Sequence, residues 1–518
     1  MANKTSSGKA FLSGNEALAR GAWEAGLKVA AAYPGTPSTE ILESLAGYPE
    51  LAVQWSVNEK VAFEVAYGAA VGGARSLFAC KHVGLNVAMD PLMTASYAGV
   101  EAGFVVVVCD DPGMHSSQNE QDSRWVGIFS KLPVLEPSTP SEARTFVAEA
   151  FAISEKYDTP VIVRMNTRIS HSKEDVKLGT RVEYAVKPLT PNMQKYVMVP
   201  KLARMRHAFI EKRLVKLQAF SEKTKLNQVE LKDTSLGFIT SSVSYCYLKE
   251  RFPDASYLKL GFLYPFCDEK IKEFAASVKK VVVVEELDPF IEEHVKALGI
   301  KKAKFKHPSF RLGEFDPGLI GDVVAGRERN VQEIPVRPPR LCPGCPHWAS
   351  FSVLKKLGLF VAGDIGCYTL GSLPPTSALH TCICMGAGVT FNEGLRLAHP
   401  KEKIVGVVGD STFVHSGITG LINAAYNKAK GIIIILDNST MAMTGGQPHP
   451  ATGFTIRNEP TKQLDLAAMC KSCGADNVDV IDPVGNVKAM EELVTKRLNE
   501  DALSVIIAKH PCVLKKKK

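Results

Sequence analysis

Between Leu27 and Asn166 short apolar runs recur, at 27–33, 53–57, 76–80, 104–109 and 161–165, and each is followed by a helix-length segment. That alternation restricts the chain to a parallel sheet covered by helices, because each parallel strand must be reached by a crossover and is buried on both faces. A smaller unit repeats the pattern with runs at 236–240, 257–260 and 281–284. A third carries runs at 360–362, 404–408, 431–436, 478–481 and 504–508. Segment 187–232 departs from it: eleven Lys or Arg residues, with Phe209, Leu214, Leu217 and Phe220 at helical spacing, predict a helical linker. The expected fold class is α/β, three domains with mainly parallel sheets: 1–186, the linker 187–232, 233–334, and 335–518, which opens at the Pro-rich stretch 335–343.

Composition adds exclusions rather than a function. Apolar residues make up 45% of the chain, and no apolar run reaches the roughly 18–20 residues that cross a bilayer. The first ten residues are polar and lack a secretory core, so a cytoplasmic protein is expected, with no membrane partner. In that compartment the 12 cysteines read as thiols, metal ligands or cluster ligands rather than disulfides. The net charge of +8 comes largely from 187–232 and the terminal Lys515 to Lys518. Neither patch carries a nucleic-acid motif. A solvated helix face with a tail explains both, and docking of acidic partners is the alternative.

The most informative stretch is 404–447. One strand runs into Gly409-Asp410-Ser411, a helix follows, and the next strand runs into Asp437-Asn438-Ser439-Thr440. Adjacent strand ends thereby present a carboxylate and a side-chain amide. Open α/β sheets bind ligands at those ends, and Mg²⁺ takes oxygen ligands together with phosphate oxygens. Asp410, Asn438 and the backbone carbonyl near Thr440 supply such a set. Gly409 allows close backbone approach, and the helix expected from about Thr412 offers amide donors to a diphosphate. Either doublet alone is an ordinary turn.

Three further places bear chemistry. Glu59 opens a helix after a strand, where a carboxylate is favourable for electrostatic reasons alone. Tyr33-Pro34-Gly35-Thr36-Pro37-Ser38 joins a strand to a helix, with Ser38 the better expected cap. Cys342-Pro343-Gly344-Cys345, Cys367 and Cys512 flank strands of the third domain, where four thiolates can bind a [4Fe–4S] cluster, although a single Cys-x-x-Cys also suits zinc or redox chemistry. Cys470, Cys473, Cys382 and Cys384 are expected to be buried thiols.

These motifs together resemble the 2-oxoacid:ferredoxin oxidoreductases, and within them the alpha subunits of indolepyruvate ferredoxin oxidoreductases. The resemblance covers essentially the whole chain. It includes the helix 58–70, the segments 109–113, 284–288 and 363–368, and the loop Thr444-Gly445-Gly446-Gln447. The family signature Gly-Asp-Gly is here Gly-Asp-Ser, with Ser411 in third place.

The resemblance implies a thiamine-diphosphate-binding fold made of pyrimidine, transketolase C-terminal-like and diphosphate domains. It implies Glu59 as cofactor activator and Thr36 beside the substrate carboxylate. Gly366, Cys367, Gly409, Asp410, Ser411, Asn438 and Thr440 would line the cofactor, with Mg²⁺ on Asp410, Asn438 and Thr440. Cys342, Cys345, Cys367 and Cys512 would hold a [4Fe–4S] cluster. The implied reaction is anaerobic oxidative decarboxylation of aryl pyruvates to aryl-acetyl-coenzyme A, carbon dioxide and reduced ferredoxin, in a hetero-oligomer with a beta subunit. Family members usually continue into a ferredoxin-like module, so an additional iron–sulfur polypeptide is expected as a partner here. Another 2-oxoacid substrate, a non-oxidative thiamine-dependent decarboxylase and a non-catalytic assembly subunit are the competing readings.

Overall fold

A computed structural model describes residues 8–330 and 339–515. The chain forms two compact units, 1–332 and 333–518. The expected boundary at residue 335 and the last three lysines lie outside the described residues.

In the first unit, the run Val105 to Val108 forms the middle of the strand Phe104–Asp110 and is fully buried, as β-branched residues suit a strand covered on both faces. Around it a seven-stranded sheet runs in the order Phe262–Tyr264, Val134–Leu135, Val161–Asn166, Phe104–Asp110, Ser76–Lys81, Val29–Ala32, Ala52–Trp55. All neighbours are parallel except the outermost pair, Phe262–Tyr264 with Val134–Leu135. Phe63, on the helix Glu59–Val71, packs edge-on against Phe78 at 5.4 Å and Phe104 at 5.1 Å and fixes that helix to the sheet.

A second sheet in this unit runs Ala303–Lys304, Lys280–Val284, Asp233–Thr240, Ala255–Leu260, Asn227–Glu230, with only the last antiparallel. The two sheets share one apolar core, in which Leu258, Val281 and Phe290 join Phe63 and Phe78. The basic segment contains the helix Pro200–Ser221, which buries Ile210, Arg213, Leu217 and Ser221. Phe209, expected on its apolar face, is instead exposed, with the Arg206 guanidinium 4.2 Å above its ring. Its position falls beside that stripe rather than on it.

A lattice of buried charges lies at the carboxyl ends of these strands. Arg164 bonds Asp110 at 2.8 Å and also Glu136, while Arg124 bonds Asp122 and reaches Glu285 at 2.6 Å. Asn166 donates to Glu286, whose carboxyl burial pushes up to about 7.

The second unit is a single parallel sheet in the order Thr381–Cys382, Phe360–Gly363, Ile404–Gly409, Gly431–Asp437, Leu503–Lys509, Asn477–Ile481. Phe351, Leu354, Met490 and Val494 cover one core of this unit, and Phe413, Leu421, Leu466 and Cys470 a second. Among the described residues no helix is long and apolar enough to cross a membrane.

Removing one partner of a buried ion pair leaves an uncompensated charge, at a cost of about 3–5 kcal/mol. Arg164→Ala should therefore lower the thermal midpoint of the protein by several degrees, and an unchanged midpoint in a scanning calorimeter would show that Asp110 and Glu136 do not depend on Arg164.

Candidate functional site

Both units bring chemistry-bearing residues to the carboxyl ends of parallel strands. In the second unit the strand Ile404–Gly409 passes straight into a helical turn at Asp410–Thr412, two residues before the expected start. A π-type turn at Phe413–Gly417 then leads into the helix Ile418–Tyr426.

Asp410 is 3% exposed, and backbone amides hold both its oxygens, Ser411 N–H at 2.8 Å and Ser439 N–H at 2.9 Å. His449 Nε2 stands 3.1 Å from the same carboxylate, with its Nδ1 buried and without a partner. Asp437 ends the neighbouring strand. Burial, then the charge of Asp410 and a hydrogen bond to it, raise the Asp437 carboxyl above its usual range. Two acids pressed together in this way are a hard, anionic oxygen site that a divalent cation would relieve.

Asn438 and Thr440 are buried beside them, and Asn438 Oδ1 accepts from the Thr440 amide at 3.2 Å. The missing Cβ of Gly409 makes room for a ring: a Cβ there would stand 2.6 Å from Tyr368 Cε1, while the Tyr368 hydroxyl donates to Ile365 O at 2.9 Å. Gly366 precedes the short turn Cys367–Ser372, and Ser411 is buried next to Asp410. His347, also buried, is pushed down to about 4 by desolvation although Asp410 opposes this. Asp364 follows the strand Phe360–Gly363 and accepts from Ile365 N–H at 2.6 Å and Gly388 N–H at 2.9 Å, and burial pushes it up to about 7.

The four expected cluster cysteines share one neighbourhood. Burial pushes Cys367 up to about 11, and the fields of Cys345, Cys512 and Cys342 add to the shift. The Cys512 amide donates to Asn438 O at 3.0 Å, which ties this group to the Asp410 loop. Among the described residues no three His, Cys, Asp or Glu side chains are gathered closely enough to hold a metal ion. Cys470 is buried and Cys473 half-buried. Cys384, expected in the core, is exposed and Cys382 is half-buried, because the two-residue strand Thr381–Cys382 lies at the sheet edge.

In the first unit Asn58 caps the helix Glu59–Val71 by accepting from Val61 N–H, so the helix starts at Glu59, which is 5% exposed. Gly84 lies directly against that carboxylate: a Cβ there would stand 2.5 Å from Glu59 Oε1. Thr36 is half-buried in the loop after the strand Val29–Ala32, and its carbonyl accepts from the Ser116 hydroxyl at 3.3 Å. Ser38 is not the side-chain cap expected of it. Its hydroxyl donates to Gly35 O at 2.8 Å, because the tight loop turns it inward.

Asp437, His449, His347, Asp364 and Lys81 escaped the sequence reading. Each takes its meaning from a neighbour that is close in space and not in sequence, and only the strand-end positions of Asp437 and Lys81 could have signalled them.

Residues 20–230 match the family described as pyruvate flavodoxin/ferredoxin oxidoreductase, thiamine diphosphate-binding, and residues 364–508 match the C-terminal TPP-binding domain of thiamine pyrophosphate enzymes. The chain is similar to the indolepyruvate oxidoreductase subunit IorA of Archaeoglobus fulgidus, at 41% identity over 98% of this chain and 87% of that one. The corresponding subunit of Methanothermobacter thermautotrophicus is 39% identical over 98% and 87%. That of Pyrococcus abyssi is 38% identical over 98% and 86%. A solved 2-oxoglutarate:ferredoxin oxidoreductase from Magnetococcus marinus overlaps 60% of this chain and 64% of its own, with TM-score 0.49 and 18% identity.

Gly84→Ala would force the Glu59 carboxylate or the helix His82–Val87 to move, an overpacking cost of about 1–3 kcal/mol. The thermal midpoint should drop accordingly. A variant as stable as the parent would mean that Glu59 is free to swing aside.

Proposed function

Because the chain belongs to the family of indolepyruvate oxidoreductase IorA subunits, we propose that it is the catalytic subunit of an enzyme for the oxidative decarboxylation of aryl pyruvates, of the indolepyruvate type. The products on this reading are an aryl-acetyl-coenzyme A, carbon dioxide and reduced ferredoxin. The observation that carries it is the crowding of Asp410 against Asp437 beside Asn438, inside a thiamine-diphosphate-binding region.

Asp410, Asn438 Oδ1 and the Thr440 carbonyl are the residues for Mg²⁺. A cation held there would let Asp437 and Asp410 lie together without a shared proton. His449 fixes the Asp410 carboxylate from the other side. Gly409, Ser411, Gly366 and Cys367 would border the diphosphate and the ring that follows it. In the first unit Glu59 would hydrogen-bond the aminopyrimidine and so favour its imino tautomer, and Thr36 would lie beside the substrate. When bound, thiamine diphosphate supplies the carbanion chemistry that lets carbon dioxide leave a 2-oxoacid.

Cys342, Cys345, Cys367 and Cys512 would hold a [4Fe–4S] cluster as the electron acceptor. Four thiols from three chain segments, with Cys342 and Cys512 raising Cys345 and Cys367, are a soft donor set that a positively charged iron centre would bring to thiolate form. This favours the oxidative reaction over a simple thiamine decarboxylase, which has no use for them. Coenzyme A, a beta subunit, and ferredoxin or another iron–sulfur polypeptide are the partners of this reading, in the cytoplasm of an anaerobic cell.

Asp410→Ala is expected to abolish Mg²⁺-dependent thiamine diphosphate binding in a calorimeter, since it removes the charged ligand. Unchanged affinity would take Asp410 out of the site. Cys367→Ser should lower the iron content of anaerobically prepared protein and block dye reduction while sparing slow carbon dioxide release. Wild-type protein reconstituted without oxygen and still free of iron would make the four cysteines structural.

A further inference from the structure

Lys81 closes the strand Ser76–Lys81, two strands in from the sheet edge and beside the Thr36 loop. Its methylenes run along Gly35, where a Cβ would meet Cγ and Cδ at 3.2 Å. The ammonium donates to Ser116 O at 2.8 Å, and the Ser116 hydroxyl donates to Thr36 O at 3.3 Å. Lys81 and Thr36 are therefore linked through a single residue.

The charge state of this corner is unusual. The carboxylate whose field acts on it most, Asp111, is taken up by the Ser116 amide at 2.8 Å, the Ser117 hydroxyl at 2.7 Å and the Thr167 hydroxyl at 2.9 Å. Other cations at these strand ends have anions of their own: Arg164 has Asp110, Arg124 has Asp122, Arg168 has Glu314 and Lys60 has Glu64. Lys81 has a backbone carbonyl instead. Burial pushes its ammonium down to about 8, and the fields of Asp111 and Glu59 only partly offset this. A desolvated cation without a counter-ion is costly to fold around, and an anionic ligand removes that cost.

We propose that Lys81 determines specificity for 2-oxoacids, its ammonium turning from the Ser116 carbonyl to bind the substrate carboxylate beside Thr36. The inference rests on the reaction proposed above and adds the positive charge that the side chain of Thr36 cannot supply. It follows that the same substrate body without a negative charge gains nothing from Lys81. A charge-assisted hydrogen bond of this kind amounts to about 10- to 100-fold in affinity.

The test uses the purified protein with its co-purifying chains, thiamine diphosphate and Mg²⁺, and measures binding of the unreactive 2-hydroxy-3-phenylpropionate, its neutral amide, and coenzyme A. Lys81→Met should weaken the acid about 10- to 100-fold and leave the amide and coenzyme A unchanged, with Lys81→Arg recovering part of the loss. Equal losses for acid and amide would make Lys81 a structural latch on Ser116, and a loss confined to coenzyme A would assign the cation to its phosphates. Either result overturns the proposal. Wild-type protein that binds the acid no better than the amide overturns it as well, even if aryl pyruvates are turned over, whereas failure of turnover alone strikes the proposed reaction.

Discussion

Asp410 and Asp437 stand at the carboxyl ends of neighbouring parallel strands, and the geometry of the sheet gives them no way to separate. Every strand in a parallel sheet ends on the same edge, so acids that follow adjacent strands are pressed into one another's field. The consequences spread outward. Asp437 holds its proton more tightly, His449 turns its ring nitrogen toward Asp410, and backbone amides from Ser411 and Ser439 take both oxygens. Tyr368 fills the space that Gly409 leaves open, and the Cys512 amide bonds the Asn438 carbonyl, so the thiol group is anchored to the same loop. An arrangement this rich in oxygen acceptors favours a further cation, and that is the physical basis for reading it as a Mg²⁺-diphosphate site.

The first unit solves a related problem differently. Asp110, Asp122, Glu136 and Glu285 also collect near strand ends, but Arg124 and Arg164 neutralise them inside the protein. The buried lattice therefore serves to hold the loops that follow Asp110 and Asn166. Lys81 stays outside it, its ammonium donating to the Ser116 carbonyl. Where a fold neutralises most of its charges internally, the exceptions mark where a ligand's charge is expected.

Much of this architecture was legible in the sequence because buried parallel strands are written as unbroken apolar runs. The run 431–436 became the strand Gly431–Asp437, and 104–109 became Phe104–Asp110. The antiparallel pair Gly8–Ser13 with Lys173–Leu178 was not legible, since Lys9, Lys173, Glu174 and Asp175 leave no apolar pattern to read. Asp410 and Asn438 could be found because a strand and a helix separate them in a recognisable order, and the family resemblance pointed to Glu59 and the cysteines. His449, His347 and Asp364 could not, because a histidine or aspartate acquires its role from a contact that only folding creates. The misplacement of Cys384 has a similar origin: it lies just past the strand Thr381–Cys382, which gained only one neighbour.

On the reading proposed above, the strand-end acids, Glu59 and the clustered thiols each meet a different requirement of one reaction: cofactor anchoring, proton transfer and electron removal. Anaerobic assay of the protein with its co-purifying chains, thiamine diphosphate, Mg²⁺, an aryl pyruvate, coenzyme A and a viologen dye tests the account most directly. It predicts dye reduction and aryl-acetyl-coenzyme A in step with carbon dioxide, and loss of all three when thiamine diphosphate is withheld. Carbon dioxide released by iron-containing protein with no dye reduced and no thioester formed would contradict it.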